Sequence, residues 1–274
     1  DPDNEPWPGG NAAQLHSLGI LITGVAAELI RTRFPGALTA KGDRDMASEV
    51  DYAVERAVRD LLRERTPQVG FLGEEEGRSG AAAELTWVLD PVDGTVNFVH
   101  GLPLCAVSLG LVRGDRAVLG VVEAPFLGTR YHAVTGAGAY ADGERIRASG
   151  VAKLADAVVA VGDYAVGPDA DLANRLRLAV TARLVPRVQR IRMLGTAAID
   201  LAWLAHGRLD ALVMLANNPW DTAAGVVLAR EAGAVVVDRH GANHHTGSAE
   251  TVAGGAALLE ELLLLIRAAA TGTG

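Results

Sequence analysis

The stretch with the most chemical content is WVLDPVDGTVNF at residues 87–98. A hydrophobic run, Trp87, Val88 and Leu89, delivers Asp90 to the carboxyl end of an expected strand, Pro91 forces a bend, and Asp93 follows three positions after Asp90. Two carboxylates at this spacing around a bend can converge on a hard cation. Mg²⁺ fits, because it takes oxygen ligands and keeps waters for a substrate phosphate. Gly94 and Thr95 then open a helix or tight turn, and the N–H groups of Asp93, Gly94 and Thr95 would form an anion cradle beside the ion. The alternative is that Asp90 and Asp93 only cap a turn, as most Asp-Pro and Asp-Gly pairs do.

Further acids stand at similar places. Glu74, Glu75 and Glu76 follow the apolar GFL run and the flexible Gly73; such a triplet is ordinarily a solvated turn, or else a carboxylate source at a strand end. Asp221, in PWDTAAG, precedes a small-residue helix, where it is a good N-cap and where a capping carboxylate can also ligate a metal. His244 and His245 lie in a Gly/Asn loop, and adjacent residues of an extended chain point apart, so they are not expected to be ligands. Cys105 reads as a core residue. The glycine-rich GAGAYADG at 136–143 is flanked by strands, which removes a dinucleotide-binding reading. No G-x-S-x-G or P-loop motif supplies a protein nucleophile or a nucleotide cradle.

The elements that must position these residues follow from periodicity. Helices are expected over 11–33, stopped by Pro35-Gly36, and over 49–65, with Val50, Ala53, Val54, Ala57, Leu61 and Leu62 on its apolar side. Strands are expected at 69–72 and 87–89, then an antiparallel meander from 106 to 140. Beyond it come helices at 172–185, 199–206, 223–232 and 258–270, and strands at 209–214 and 235–238. This order fits α+β followed by α/β, with a boundary near 149–154 dividing residues 1–150, with the antiparallel sheet and most of the acids, from 151–274, which carry Asp221.

Composition narrows the function classes. With 274 residues, 49% apolar and 21% charged, the chain can bury a large core and is not a disordered tail. A net charge of −8 argues against non-specific nucleic-acid binding and requires that an anionic substrate be held by local donors or a metal. The single cysteine excludes an internal disulfide and fits a reducing compartment, so a cytoplasmic location is expected. The apolar run at 18–27 is ended by Glu28 and Arg31, short of the roughly 20 residues of a membrane span, and acidic residues rather than a basic leader precede it. The run at 258–266 carries Glu260 and Glu261, and both runs are expected to be packed helices.

In order along the chain, GEE (73–75), DPVDGTVNF (90–98) and WDTAAG (220–225) resemble the three signatures of the inositol monophosphatase family, which are Mg²⁺-dependent, lithium-sensitive phosphatases. Lys41 and DMASEVD (45–51) resemble its upstream D-x-x-T-x-x-D segment, with Ser48 where Thr is usual. GAGAYADGERIRAS (136–149) is similar to its G-x-G-A…N-G-x-x-I-x-x-S hairpin, with Asp142 for Asn, and LGTAAIDLAWLAHGRLDA (194–211) to its substrate-side helix. The resemblance spans nearly the whole chain. It implies the layered α-β-α-β-α sandwich of the inositol monophosphatase/fructose-1,6-bisphosphatase superfamily, usually a homodimer.

Carried over by position, the resemblance makes Glu74, Asp90 and the Val92 carbonyl ligands of one Mg²⁺, and Asp90, Asp93 and Asp221 ligands of a second. Glu74 and Glu75 would reach the waters of a third ion, giving two to three per subunit. Thr95 and Asp51 resemble the dyad that orients the metal-activated water and takes its proton, with Glu74 sharing that work, and the amides of Asp93, Gly94 and Thr95 would bind phosphate. Gly195, Thr196 and Ala197 would line the leaving-group side through backbone atoms. The family's substrate-binding glutamate, seven residues before the signature Asp221, is Met214 here, a poor hydrogen-bond acceptor, with Asp163 a candidate replacement. The expected function is therefore a phosphomonoesterase on inositol 1-phosphate or a related polyol or sugar phosphate. Alternatives are the same chemistry on a 3′-phosphonucleotide, histidinol phosphate or fructose 1,6-bisphosphate, or a non-catalytic phospho-ligand-binding protein.

Overall fold

The structure, a computed structural model, describes residues 12–33, 38–40, 46–80 and 83–272. Pro35-Gly36, Lys41 and Asp45, singled out above, lie outside the described residues. Helix α1 (Ala12–Thr32) is followed by the antiparallel pair β1 (Leu38–Ala40) and β2 (Met46–Ser48), which leads into α2 (Glu49–Arg65). Next come β3 (Gly70–Gly73), β4 (Gly77–Ser79) and β5 (Leu85–Asp93), then the short α3 (Thr95–Val99). The meander comprises β6 (Ala106–Arg113), β7 (Arg116–Ala124), β8 (Thr129–Val134), β9 (Gly138–Ala141) and β10 (Glu144–Ile146). These build an eight-stranded sheet in the order β10-β9-β8-β7-β6-β5-β3-β4, antiparallel except for the β3–β5 pair.

The later elements are β11 (Val158–Val161), α4 (Ala170–Leu184), β12 (Arg190–Arg192), α5 (Ala197–Ala205), β13 (Ala211–Met214), α6 (Pro219–Glu231), β14 (Val235–Val237), β15 (Thr251–Gly254) and α7 (Ala256–Thr271). The strands form a second sheet, β12-β11-β13-β15-β14, parallel across β12, β11 and β13 and antiparallel beyond. The chain leaves the first sheet at Ile146 and enters the second at Val158.

The period-2 alternation of the strands explains the layering. Trp87, Leu89, Leu109, Leu111, Leu119 and Val121 all face one way and bury against Leu15, Ile22 and Ile30 of α1 and Val54, Val58 and Leu62 of α2. Each such side chain contributes about 1.5–3 kcal/mol by leaving water. The opposite face carries Gly110 and Gly120 at its centre beside larger residues such as Val122 and Tyr131, and α5 and α6 lie on it. A Cβ on Gly110 would sit 2.8 Å from the Ala223 Cβ, and one on Gly120 would sit 2.3 Å from the Ala224 carbonyl oxygen, so α6 rides directly on the sheet backbone. The far sides of α5 and α6 pack on the second sheet through Leu201, Leu204, Val226 and Ala229, and α4 and α7 cover its outer face. The result is the five-layer α-β-α-β-α sandwich.

Several details differ from the expectations. Strands β11, β12 and β15 were not anticipated, and α6 starts at Pro219 rather than 223, because Pro suits the first helical position and Asn218 caps it. The buried stripe of α2 is Val50, Asp51, Val54, Glu55, Val58 and Leu62, rotated from the expected one to include two acids, while Ala53, Ala57 and Leu61 are only half-buried. Helix α1 is longer than the apolar run at 18–27 and has the length and apolarity to cross a membrane, yet its buried residues Leu15, Ile22, Ala26, Ala27 and Ile30 face the protein interior.

Candidate active site

Strand β5 delivers its acids through a broken register. Pairing with β6 is regular up to Asp90 and shifts before Asp93, where Pro91 has no N–H to donate to the ladder. Asp90 (3% exposed) accepts a 3.1 Å hydrogen bond from the Val92 N–H on Oδ1, and Asp93 (8% exposed) ends the strand. Gly94 then caps α3 with φ +91°, and a Cβ there would lie 2.8 Å from the Leu104 carbonyl oxygen; glycine alone suits this turn. Thr95 opens α3 with its hydroxyl 2.9 Å from Asp51 Oδ1 and 3.0 Å from the Val92 carbonyl oxygen. Asp51, fully buried in the first turn of α2, is fixed by its other oxygen, which accepts from the Ser48 N–H (2.9 Å) and the Ser48 hydroxyl. A capping box at the start of α2 thus becomes one end of a Ser48–Asp51–Thr95 chain of hydrogen bonds.

Glu74 enters from β3, the parallel neighbour of β5. Gly73 lies opposite Leu89, and the Glu74 N–H donates to the Leu89 carbonyl, which sets Glu74 beside Asp90; their side chains share a hydrogen bond. The next two amides of this turn, Glu75 and Glu76, donate to Oε2 and Oε1 of Glu55 on α2, each at 2.8 Å. Residues 74–76 form the expected turn at the end of β3, and the Glu76 carboxylate faces outward to Arg56 and Arg59.

The other half of the chain meets these acids through helix N-termini. Asp93 Oδ2 accepts from the Thr196 hydroxyl and, at 2.6 Å, from the Ala198 N–H at the start of α5, a position that favours a negative charge. Thr196 therefore spends its side chain on Asp93. Asp221 stands at the third position of α6 and accepts from the Asn218 N–H at 2.6 Å, so it completes a capping box whose N-cap is Asn218.

Burial holds the Asp90 carboxyl well above its usual range, and Glu74, Asp93 and Asp221 push it the same way. Burial likewise pushes Asp93 up to about 6, opposed by its bonds from Thr196 and Ala198. As the side chains stand, no group of three His, Cys, Asp or Glu among the described residues encloses an ion-sized point. One oxygen each of Asp90, Asp93 and Asp221 is turned to a backbone N–H instead. The donor set is nonetheless all oxygen, and its acids mutually oppose ionisation, which suits a hard divalent cation.

Of the residues expected on the leaving-group side, Met214 belongs to the second sheet, Asp163 follows β11, and Gly195, Thr196 and Ala197 lie at the start of α5. Met214 ends β13, is 6% exposed, and packs where a Cβ on Gly162 would come within 3.0 Å of its Cγ. Asp163 follows Gly162; burial raises its carboxyl, countered by Arg177. Gly195 and Ala197 flank Thr196 at the mouth of α5, and Asn97 ties this loop to α3 by donating to the Leu194 and Leu104 carbonyls at 2.8 Å each. The sequence reading missed Asn97, Glu55 and Asp200. Asp200 is a buried carboxyl of α5, raised by burial and by Asp93 and Asp163, and its Oδ1 has no hydrogen-bond partner. The signal for Glu55 was its i, i+4 spacing from Asp51 on one helix face. His244 is buried with Nε2 2.9 Å from the Thr251 hydroxyl, a packing role, and the buried Cys105 thiol is pushed up to about 12.

Comparison with known proteins follows the same lines. Inositol-1-monophosphatase ImpA of Mycolicibacterium smegmatis is 39% identical over 202 residues, covering 74% of this chain and 73% of that protein. A Thermotoga maritima protein named fructose-1,6-bisphosphatase/inositol-1-monophosphatase is 38% identical over 200 residues, 73% of this chain and 74% of its own. Among solved structures, the Thermotoga maritima IMPase superposes with a TM-score of 0.87 at 30% identity, over 95% of this chain and 100% of that one. Mycobacterium tuberculosis SuhB gives 0.78 at 33% identity, over 95% and 98%. Residues 14–270 match the Inositol monophosphatase family, and the chain belongs to that family of phosphatases, which act on phosphate monoesters.

Proposed function

We propose that this phosphatase hydrolyses a small polyol or sugar phosphate, such as inositol 1-phosphate, with Mg²⁺ as cofactor. The observation that carries this reading is the setting of Asp90, buried and opposed in its ionisation by Glu74, Asp93 and Asp221. Carboxylates so placed ionise together only beside compensating cations. Glu74, Asp90 and the Val92 carbonyl would hold one Mg²⁺; Asp90, Asp93 and Asp221 a second; Glu74 and Glu75 the waters of a third. Bound magnesium supplies charge compensation for a phosphate dianion, acidification of the attacking water and stabilisation of the leaving oxygen.

The chain's own residues do the rest. Thr95 donates its hydroxyl hydrogen to Asp51, which leaves an oxygen lone pair to accept from the attacking water. Asp51, oriented by Ser48, is the group that takes the proton, and Glu74 shares that work. The amides of Asp93, Gly94 and Thr95 receive phosphate oxygens. In this reading residues 1–150 carry most of the acids, and residues 151–274 supply Asp221 and the leaving-group wall of Asp163, Gly195, Thr196, Ala197 and Met214. The enzyme is expected to be lithium-sensitive, homodimeric and cytoplasmic.

A second reading, fructose 1,6-bisphosphate, is favoured by the Thermotoga maritima relative whose name carries both activities, while Met214 in place of a glutamate weakens the case for inositol 1-phosphate. Phosphate release from inositol 1-phosphate, glycerol 2-phosphate, fructose 1,6-bisphosphate, histidinol phosphate and 3′-phosphoadenosine 5′-phosphate, with and without Mg²⁺ and with Li⁺, tests both. Mg²⁺-dependent, Li⁺-inhibited release from the polyol or sugar esters is expected. Release that persists in a chelator, or none from any ester, would contradict it.

A further inference from the structure

We infer that Glu55 is a positioning residue for the metal site: its carboxylate, seated beneath the Gly73–Glu76 turn, sets the Glu74 and Glu75 side chains for cation binding. This rests on the reading of Glu74 as a metal ligand. Glu55 is fully buried, although it sits on a helix side otherwise used for core packing. A buried carboxylate persists where hydrogen bonds answer it, and both oxygens of Glu55 are answered by backbone: Oε2 by the Glu75 N–H and Oε1 by the Glu76 N–H, at 2.8 Å each. One carboxylate on two successive amides fixes the peptide planes on the carboxyl side of Glu74. The Glu74 N–H is separately tied to Leu89 on β5, so the turn is held on both sides of the ligand.

Gly73 belongs to the same device. A Cβ there would lie 2.3 Å from the Glu55 carboxyl carbon, so the close seat of the carboxylate requires glycine. Helix α2 therefore presents Asp51 and Glu55, one turn apart, to the Thr95 segment and the Glu74 turn respectively. Its exposed side holds Glu76 through Arg56 and Arg59. Groups that orient a metal ligand without touching the ion commonly change affinity or activity by about 10–100-fold when removed. Glu55→Gln replaces one acceptor with an NH₂ that opposes a backbone N–H, and Gly73→Ala displaces the carboxylate.

The test is Mn²⁺ binding to the substrate-free protein, followed by the free-ion electron paramagnetic resonance signal, for wild type, Glu55→Gln, Gly73→Ala, Arg56→Ala and Glu74→Gln. Melting of each metal-free protein is measured alongside. About tenfold weaker Mn²⁺ binding is expected for Glu55→Gln and Gly73→Ala, with folded metal-free protein and with activity restored by excess Mg²⁺, which general damage to the fold would not allow. Arg56→Ala, on the solvent side, should change binding less than about threefold. Should Glu55→Gln fail to fold, Gly73→Ala decides. Wild-type Mn²⁺ binding in these variants with weakened binding in Glu74→Gln would overturn the role of Glu55 alone. Wild-type binding in Glu74→Gln would overturn the metal reading and this inference with it.

Discussion

Asp93 and Met214 each end a strand, one in each sheet, and they are held in opposite ways. Asp93 is locked by the Thr196 hydroxyl and the Ala198 N–H and has Asp90 and Glu74 for neighbours. Met214 is held by packing against Gly162 and offers only a thioether. Directional hydrogen bonds over-determine the acidic side, so small chemical changes there disturb the whole constellation. In the proposed function Met214 bears on substrate choice and Asp93 on the reaction itself, which makes the two separable at these positions; Thr196, on the leaving-group side, is instead tied to Asp93.

The hardest blow to that comparison is expected from Asp93→Asn, which keeps the shape and removes the charge. Turnover should fall to background on every ester while the melting temperature changes little; near-wild-type rates in a phosphate-release assay would break the account of the acidic side. Thr95→Ala removes the hydroxyl that donates to Asp51 and, in the proposed mechanism, accepts from the attacking water; it is expected to lower kcat by about 10²-fold or more with KM nearly unchanged, as steady-state kinetics would read.

Much of this side was legible from sequence because its parts are short-range. A strand, a Pro bend and a glycine at φ +91° all lie within residues 87–95, and each has a local signature. The meander was legible for the same reason. Strands β11, β12 and β15 were not: VVAV and TVAG are short buried runs without alternation, and RIR is an arginine-bearing edge strand with a single apolar residue. Glu55 escaped notice because an acid on a helix is ordinarily solvent-facing; its i, i+4 spacing from Asp51 was the sequence signal, and its partners, the Glu75 and Glu76 amides, give the buried role. Asn97 was hidden likewise, since one of its partners, the Leu194 carbonyl, lies on a loop far along the chain.

On the other side, Met214→Glu is expected to raise the preference for inositol 1-phosphate over fructose 1,6-bisphosphate by about tenfold, the worth of one hydrogen bond to a charged group. An unchanged kcat/KM ratio would remove Met214 from the choice of substrate.

A smaller effect sharpens the electrostatics. Burial raises Asp93 to about 6 and Asp90 well above its usual range. A carboxyl whose folded pKa is raised stabilises the fold below its unfolded pKa, and that contribution is lost as pH rises through the folded value. The metal-free protein should therefore lose the Asp93 part of this stability between about pH 4 and 6, and Mg²⁺ should raise Tm by a few degrees more at pH 7.5 than at pH 5. Equal Mg²⁺ shifts at both pH values in calorimetry would contradict the mutual repulsion of these acids. The least effect is expected at Cys105, whose buried thiol is pushed up to about 12. Iodoacetamide at pH 8 should leave native mass and activity unchanged.

The most direct test of separability is one set of kcat/KM values for inositol 1-phosphate and fructose 1,6-bisphosphate, at saturating Mg²⁺, for wild type, Asp93→Asn and Met214→Glu. Asp93→Asn should lose both activities together, while Met214→Glu should keep turnover and change only their ratio. Activity retained in Asp93→Asn, or both activities abolished in a folded Met214→Glu, would contradict the division of labour between the two sides of the cleft.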